Sequence, residues 1–273
     1  FKFRSEKLRK VKIKKRRCEI CEDIFNRIDQ IARKIAKRLA KYEFKSFLIG
    51  TRLTSKLERM EEAVWELIGI EHCEPLKSEL NREIGKKVRE SLREMGIKYT
   101  RVKQKNPDIL CIVDLIENEI KLQIAPLYVK GEYCKLVRGI PQTKWRRKIF
   151  RTSVQEIIEK PLLKATRGEK SRFHGAGRED ISARCLGWRP FVIEIVKPRI
   201  RSIDLKQIEK EINKSKFVKV RRLKLASSED VVKVKEARHL KTYRLLVKCE
   251  KKVDKKLLRR LKELETVIEQ RTP

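Results

Sequence analysis

From Glu22 to Lys41, apolar residues fall at Ile24, Phe25, Ile28, Ile31, Ala32, Ile35, Ala36 and Leu39, the spacing of a helix with one buried face. Basic residues fill the other face. Phe44 to Ile49 reads as a short strand and Ser55 to Leu67 as a helix. Leu76 to Met95 reads as a longer helix on Leu80, Ile84, Val88 and Leu92, stopped by Gly96. The apolar runs Ile109 to Leu115 and Ile120 to Ile124 flank Glu117-Asn118-Glu119 and predict a hairpin, with Tyr128 to Val129 extending its second strand. Arg138 to Phe150 has no periodicity, carries Gly139 and Pro141, and reads as a linker between two domains. Ser153 followed by Glu156 is a capping pattern that opens a short helix. Phe191 to Val196, Leu205 to Ile212 and Val218 to Leu225 follow as a β-α-β unit. Tyr243 to Cys249 adds a strand and Lys255 to Glu265 a helix. The fold class is α+β, with a mixed or antiparallel sheet in the second half.

Composition narrows the partner. Of 273 residues, 40% are hydrophobic, enough for a core, and 72 Lys+Arg against 38 Asp+Glu give a formal net charge of +34. A surface this basic seeks a polyanion: nucleic acid first, because phosphate neutralisation releases counterions, and anionic membrane second. No apolar run approaches a spanning helix, and Phe1 to Arg17 is a basic arm without an apolar secretory core, either solvated along phosphates or disordered. These features place the protein in the cytoplasm, without a membrane partner. The charge density suits a hyperthermophile, a biased base composition or RNA binding alike. Seven scattered cysteines read as reduced thiols.

The segment Phe173-His174-Gly175-Ala176-Gly177-Arg178-Glu179-Asp180-Ile181-Ser182-Ala183-Arg184 holds the densest chemistry, with glycines and charges crowded before a strong strand. Arg178 and Arg184 either hold Asp180 ionised or grip phosphate, or the segment is an exposed turn with a local ion pair.

Gly177-Arg178-Glu179-Asp180, then Ala183-Arg184-Cys185-Leu186-Gly187 and Arg189-Pro190-Phe191-Val192-Ile193-Glu194, closely resembles the catalytic motif of the archaeal THUMP-containing tRNA pseudouridine synthases, the tenth Pus family. The likeness extends to Lys241-Thr242-Tyr243-Arg244, Val267-Ile268-Glu269-Gln270-Arg271-Thr272-Pro273, Ser78 to Gly85, Asn106-Pro107-Asp108, Ala125 to Val129 and Gly139 to Trp145. The last two segments look like THUMP-domain positions. The resemblance implies isomerisation of uridine to pseudouridine in the tRNA T arm, at tRNA positions 54 and 55, with no cofactor. It implies Asp180 as the nucleophile, acting on the sugar or through a glycal route, and Tyr243 as the residue stacking on the uracil. Arg178 or Arg184 would supply counter-charge, and Arg178 would also fill the gap left by a flipped base. Glu179 and His174 are expected as scaffold or RNA contacts, and His239 as incidental.

The expected organisation is a THUMP-containing tRNA-binding domain over residues 1–150, with its core at about 42–150, followed by a partial catalytic domain over 151–273. Lys12 to Arg17, Arg33 to Lys41, Arg146 to Lys148 and Arg199 to Arg201 are the expected RNA contacts. Three departures from the family pattern stand out. Ser182 replaces a second acid, and the Gly-Arg-Pro spacing becomes Gly187-Trp188-Arg189-Pro190. Cys18 and Cys21 resemble a zinc pair whose second half is missing, so no metal is expected. The family's catalytic domain continues beyond the positions matched by Arg271-Thr272-Pro273. Either the chain is a fragment, or a separate chain supplies the rest, or the protein is a noncatalytic RNA-binding relative.

Overall fold

The computed structural model describes residues 18, 20–99, 106–145, 149–237, 242–250 and 252–263. The expectations for Lys12 to Arg17, Arg146 to Lys148, His239, Lys241 and Val267 to Pro273 lie outside these residues. The chain divides after Ala237 into two units.

The first unit holds two hydrophobic cores. In the first, α1 (Ile28–Leu39) buries Ile28, Ile31, Ala32, Ile35, Ala36 and Leu39, the positions set by its periodicity. It packs along α3 (Leu76–Glu94), whose Leu80, Ile84, Val88 and Leu92 are fully buried. Gly96 ends α3 at φ 69°, letting the Ile97 amide return to the Leu92 carbonyl at 2.9 Å. The sheet beneath runs β1 (Phe47–Arg52), β2 (Ile109–Asp114), β3 (Glu119–Ile124), with β1 parallel to β2 and β2 antiparallel to β3. The first strand starts three residues later than Phe44, because Phe44 is a buried residue of the core rather than a ladder position. Between β1 and α3, α2 (Ser55–Ile68) is capped by the Thr54 hydroxyl, which accepts from the Leu57 amide.

The second core forms on a four-stranded antiparallel sheet in the order β5 (Lys170–Gly175), β6 (Cys185–Val196), β4 (Leu127–Lys135), β7 (Val218–Ala226). Here β4 is not an extension of the hairpin: after Pro126 the chain leaves the first sheet and becomes an inner strand of the second. The two cores therefore divide near Ala125-Pro126, and the described residues Arg138 to Trp145 of the expected linker form a loop of the second core. Because β6 and β7 both pair antiparallel to β4, they run parallel to each other with β4 between them, a split form of the expected β-α-β unit.

One face of this sheet is covered by α4 (Val154–Thr166) and α5 (Leu205–Ile212), through Ile158, Leu162, Ile208 and Ile212 against Val129, Phe191, Ile193 and Val220. The Ser153 hydroxyl caps α4 from the expected position, accepting from the Glu156 amide at 3.1 Å. On the other face α6 (Ser228–Glu236) packs on β5 and β6, and its Asp230 pairs with Lys130 of β4 at 2.9 Å.

Polar bonds join the two cores. The Glu43 carboxylate accepts from the Arg201 and Ser202 amides at 2.7 and 2.9 Å. The Arg201 guanidinium reaches the Asp108 carboxylate at 3.7 Å and the Ala125 carbonyl. With its side chain only 13% exposed, Arg201 is structural and not one of the expected RNA contacts. The stripe of Arg33, Lys34 and Lys37 on α1, with Lys41 just beyond its end, is exposed.

In the second unit, Tyr243 to Cys249 has no regular secondary structure and joins no strand ladder among the described residues, and Leu245, Leu246 and Val247 are exposed. Strand propensity supplies no hydrogen-bond partner, so an alternating run alone does not make a sheet. The final helix, α7 (Lys255–Glu263), is capped by Asp254, whose carboxylate accepts from the Leu257 amide at 2.7 Å.

Candidate active site

Residues 176–184 form a loop between β5 and β6. Gly177 turns it at φ 74°, a conformation that a side chain disfavours. The loop alternates in burial: Glu179 is buried beneath it, whereas Arg178, Asp180, Ser182 and Arg184 are exposed.

The loop is held mainly through its carbonyls. Lys135, at the end of β4 and fully buried, donates from Nζ to the Asp180 carbonyl at 2.8 Å, the Ile140 carbonyl at 3.1 Å and the Ile181 carbonyl at 3.5 Å. The Gly139 amide also donates to the Ile181 carbonyl, at 2.8 Å. Gln142 donates from Nε2 to the Gly177 carbonyl at 3.0 Å, and Arg189 donates from Nη1 to the Ala176 carbonyl at 2.9 Å. The carbonyls of Ala176, Gly177, Asp180 and Ile181 are thus gripped from the sheet and from the 138–145 loop, and Asp180 is exposed.

Under this grip lies a buried polar network. The Glu179 carboxylate accepts from the Tyr133 hydroxyl at 2.7 Å and lies 3.5 Å from the Arg189 guanidinium. Gln142 also donates to the Tyr133 oxygen, at 2.8 Å. Burial pushes the Tyr133 phenol up, and the Glu179 charge adds to the effect, so it stays a protonated donor. Burial pulls the Lys135 ammonium down, against the opposing charges of Glu179 and Asp180. Among the described residues Glu179 Oε1 has no hydrogen-bond partner, a desolvation cost that the other bonds of the network offset.

The sequence-derived candidates distribute unevenly around this frame. Asp180 stands at the loop's outer side, and among the described residues no ion pair joins its carboxylate to Arg178 or Arg184. Glu179 is scaffold, and His174 lies 3.3 Å from Glu194, itself paired with Arg172 at 2.6 Å. Tyr243 belongs to the second unit and is 75% exposed. Lys135 and Tyr133 were not singled out in the sequence, and Gln142 and Arg189 lie in segments that carry the resemblance but had no role assigned to them. The available signal was a lysine and a tyrosine on otherwise apolar, inward positions of a strand. Cys18 and Cys21 sit together, the Cys21 amide donating to the Cys18 sulfur at 3.5 Å. Among the described residues no group of three or more His, Cys, Asp or Glu side chains could hold a metal ion, so two thiols alone do not fit a tetrahedral zinc site.

Comparison with known proteins gives this arrangement a context. The family described as Pus10 THUMP domain, archaeal, matches residues 31–114, and the one described as Pus10, C-terminal, matches residues 128–273. Residues 128–150 thus go with the C-terminal family, in keeping with the position of β4. The chain is 38% identical to the tRNA pseudouridine synthase Pus10 of Archaeoglobus fulgidus, over 94% of this chain and 74% of that protein. It is 40% identical to the namesake in Methanopyrus kandleri, over 94% of this chain and 63% of that protein. For Methanocaldococcus jannaschii the identity is 41%, over 98% of this chain and 61% of that protein. The chain therefore spans roughly three fifths to three quarters of these relatives. With both family descriptions matched in order, and the Gly177 to Asp180 loop lying within the C-terminal match, the chain belongs to the Pus10 family.

Proposed function

We propose that the chain is a tRNA pseudouridine synthase that isomerises uridine in the T arm, at tRNA positions 54 and 55, with Asp180 as nucleophile. The observation that carries this reading is the loop itself. Its buried members fix the main chain on both sides of the exposed Asp180, the arrangement a nucleophile needs. The relatives named as tRNA pseudouridine synthases supply the reaction and the substrate class.

In this mechanism the Asp180 carboxylate assists departure of uracil from C1′, either by bonding to the sugar or by removing a sugar proton on a glycal route. The base rotates and C5 bonds to C1′ as the Asp180–sugar bond breaks, or, on the glycal route, as Asp180 returns the proton to C2′. The C5 hydrogen then leaves as a proton and N1, which has lost its bond to the sugar, takes one up. Tyr243 is assigned to stacking on the uracil, and Arg178 and Arg184 to phosphate contact or to the space left by the flipped base. The exposed basic stripe of α1 suits backbone recognition of an A-form helix.

The test is tritium release from tRNA transcript labelled at uridine C5. Wild type should release label, whereas Asp180→Asn should release none and bind tRNA with nearly unchanged affinity. Tight, salt-dependent tRNA binding without release by the wild type would leave RNA binding as the function and remove the catalytic assignment.

A further inference from the structure

Two irregularities meet on the face of the second sheet opposite α4 and α5. On β6, the stretch from Cys185 to Arg189 lies opposite only Lys135 to Tyr133 of β4, so Leu186, Gly187 and Trp188 carry a bulge. On β7, the register with β4 slips between Lys130 and Glu132, and Arg222 adopts φ 57°, uncommon for a residue with a side chain. Bulges on both neighbours of one strand bring together side chains that a regular ladder would separate.

The side chains gathered there are Trp188, Arg221 and Glu132. The Arg221 guanidinium lies over the Trp188 ring, 4.3 Å from its centroid. The Glu132 carboxylate accepts from Arg221 Nε at 2.5 Å and from Arg222 Nη1 at 3.3 Å, fixing the guanidinium in place. Yet the group is not buried. Trp188 is 38% exposed, the Arg221 side chain equally so, and Leu186 beside them is 65% exposed. An indole and a guanidinium held together and open to solvent form a rigid planar surface, the indole on β6, which leads directly out of the Asp180 loop, and the guanidinium on β7.

We infer that Trp188 and Arg221 form a stacking platform for an unpaired RNA nucleobase next to the catalytic loop. Every nucleobase has a π face, and unpaired bases stack on aromatic and guanidinium planes. Glu132 serves as a positioning residue by occupying the Arg221 Nε edge, so that Arg221 presents its plane rather than reaching for phosphate. The inference rests on the reading of the chain as an RNA-modifying protein.

The test uses the full chain carrying Trp65→Phe and Trp145→Phe, which leaves Trp188 as its sole tryptophan. Its fluorescence is titrated with tRNA transcript, with single-stranded oligouridylate and with a fully paired RNA duplex. Quenching by tRNA and by oligouridylate, but not by the duplex, is expected. In the wild-type background, Trp188→Ala should weaken tRNA binding roughly tenfold, whereas Trp188→Phe should keep it within about threefold. Emission that stays unchanged at saturating tRNA, or Trp188→Ala binding like wild type, overturns the platform. If tRNA does not bind at all, the proposed function fails, and oligouridylate still decides the platform: quenching supports it and its absence removes it.

Discussion

Replacing Lys135 with methionine keeps most of the side chain's apolar volume and removes only the ammonium that holds the Asp180 main chain. Its two shorter bonds, at 2.8 Å to the Asp180 carbonyl and 3.1 Å to the Ile140 carbonyl, are charge-assisted. Such bonds contribute about 1.5–3 kcal/mol each, so the gross loss is about 3–6 kcal/mol. Part of this returns, because the variant no longer buries a charge. The Asp180 carbonyl also keeps a bond from the Ala183 amide at 3.2 Å, and the Ile181 carbonyl keeps its bond from Gly139. A net loss of about 2 kcal/mol is expected, which for a chain of this size lowers the melting temperature by about 4–8 °C. The effect on turnover should be larger. A displacement of about 1 Å at a reacting group costs about a hundredfold in rate. Single-turnover tritium release at 25 °C should therefore fall about a hundredfold, with tRNA affinity almost unchanged. Trypsin should also cleave faster after Arg178 and Arg184, a readout independent of catalysis. Wild-type release, melting and cleavage in Lys135→Met would refute the claim that this lysine fixes the loop.

Tyr133→Phe deletes the hydroxyl shared by Glu179 and Gln142, and should lower stability by about 1–2 kcal/mol, measured from the urea midpoint. An unchanged midpoint would show that the network is relieved by water. At Glu43, burial pushes the carboxyl up, but hydrogen bonds from Ser202 and the Arg201 amide outweigh it and hold the group below its ordinary value of 4.5. A carboxyl depressed by folding stabilises the native state above that value, and the contribution is lost as pH falls through the folded pKa. The urea midpoints of wild type and Glu43→Gln should thus differ near neutrality and converge as the pH falls below about 4.5. A gap independent of pH would contradict the assignment.

Legibility in the sequence followed locality. Leu80, Ile84, Val88 and Leu92 announce their helix because period and burial coincide within one segment. β4 was hidden because Lys130-Gly131-Glu132 interrupts its apolar run, and those charges are neutralised only by partners far along the chain, Asp230 and Arg221. β5 does not stand out in the sequence, since Lys170 and Arg172 on an edge strand remain exposed and leave it without an apolar run. At the site, the motif around Asp180 was visible as a contiguous string. Its support was not, because Tyr133 and Arg189 meet only through the register of β4 with β6. The resemblance identified the loop residues, while the residues that hold them required the pairing.

The central place of β4 also sets an order of events in folding. The first sheet closes with β3, so the whole of that core has been synthesised by Ile124. β4 emerges next, yet its partners arrive later: β6 begins at Cys185 and β7 at Val218, Glu132 finds Arg221 of β7 across 89 positions, and Lys130 finds Asp230 of α6 across 100. Pairings this distant are slow to form, because the intervening chain must lose its freedom before any contact compensates. During translation, β4 therefore waits with both edges open until β6 begins at Cys185 and with one edge open until β7 begins at Val218, which makes the interval between Lys135 and Val218 the period when this chain is most exposed to misassociation.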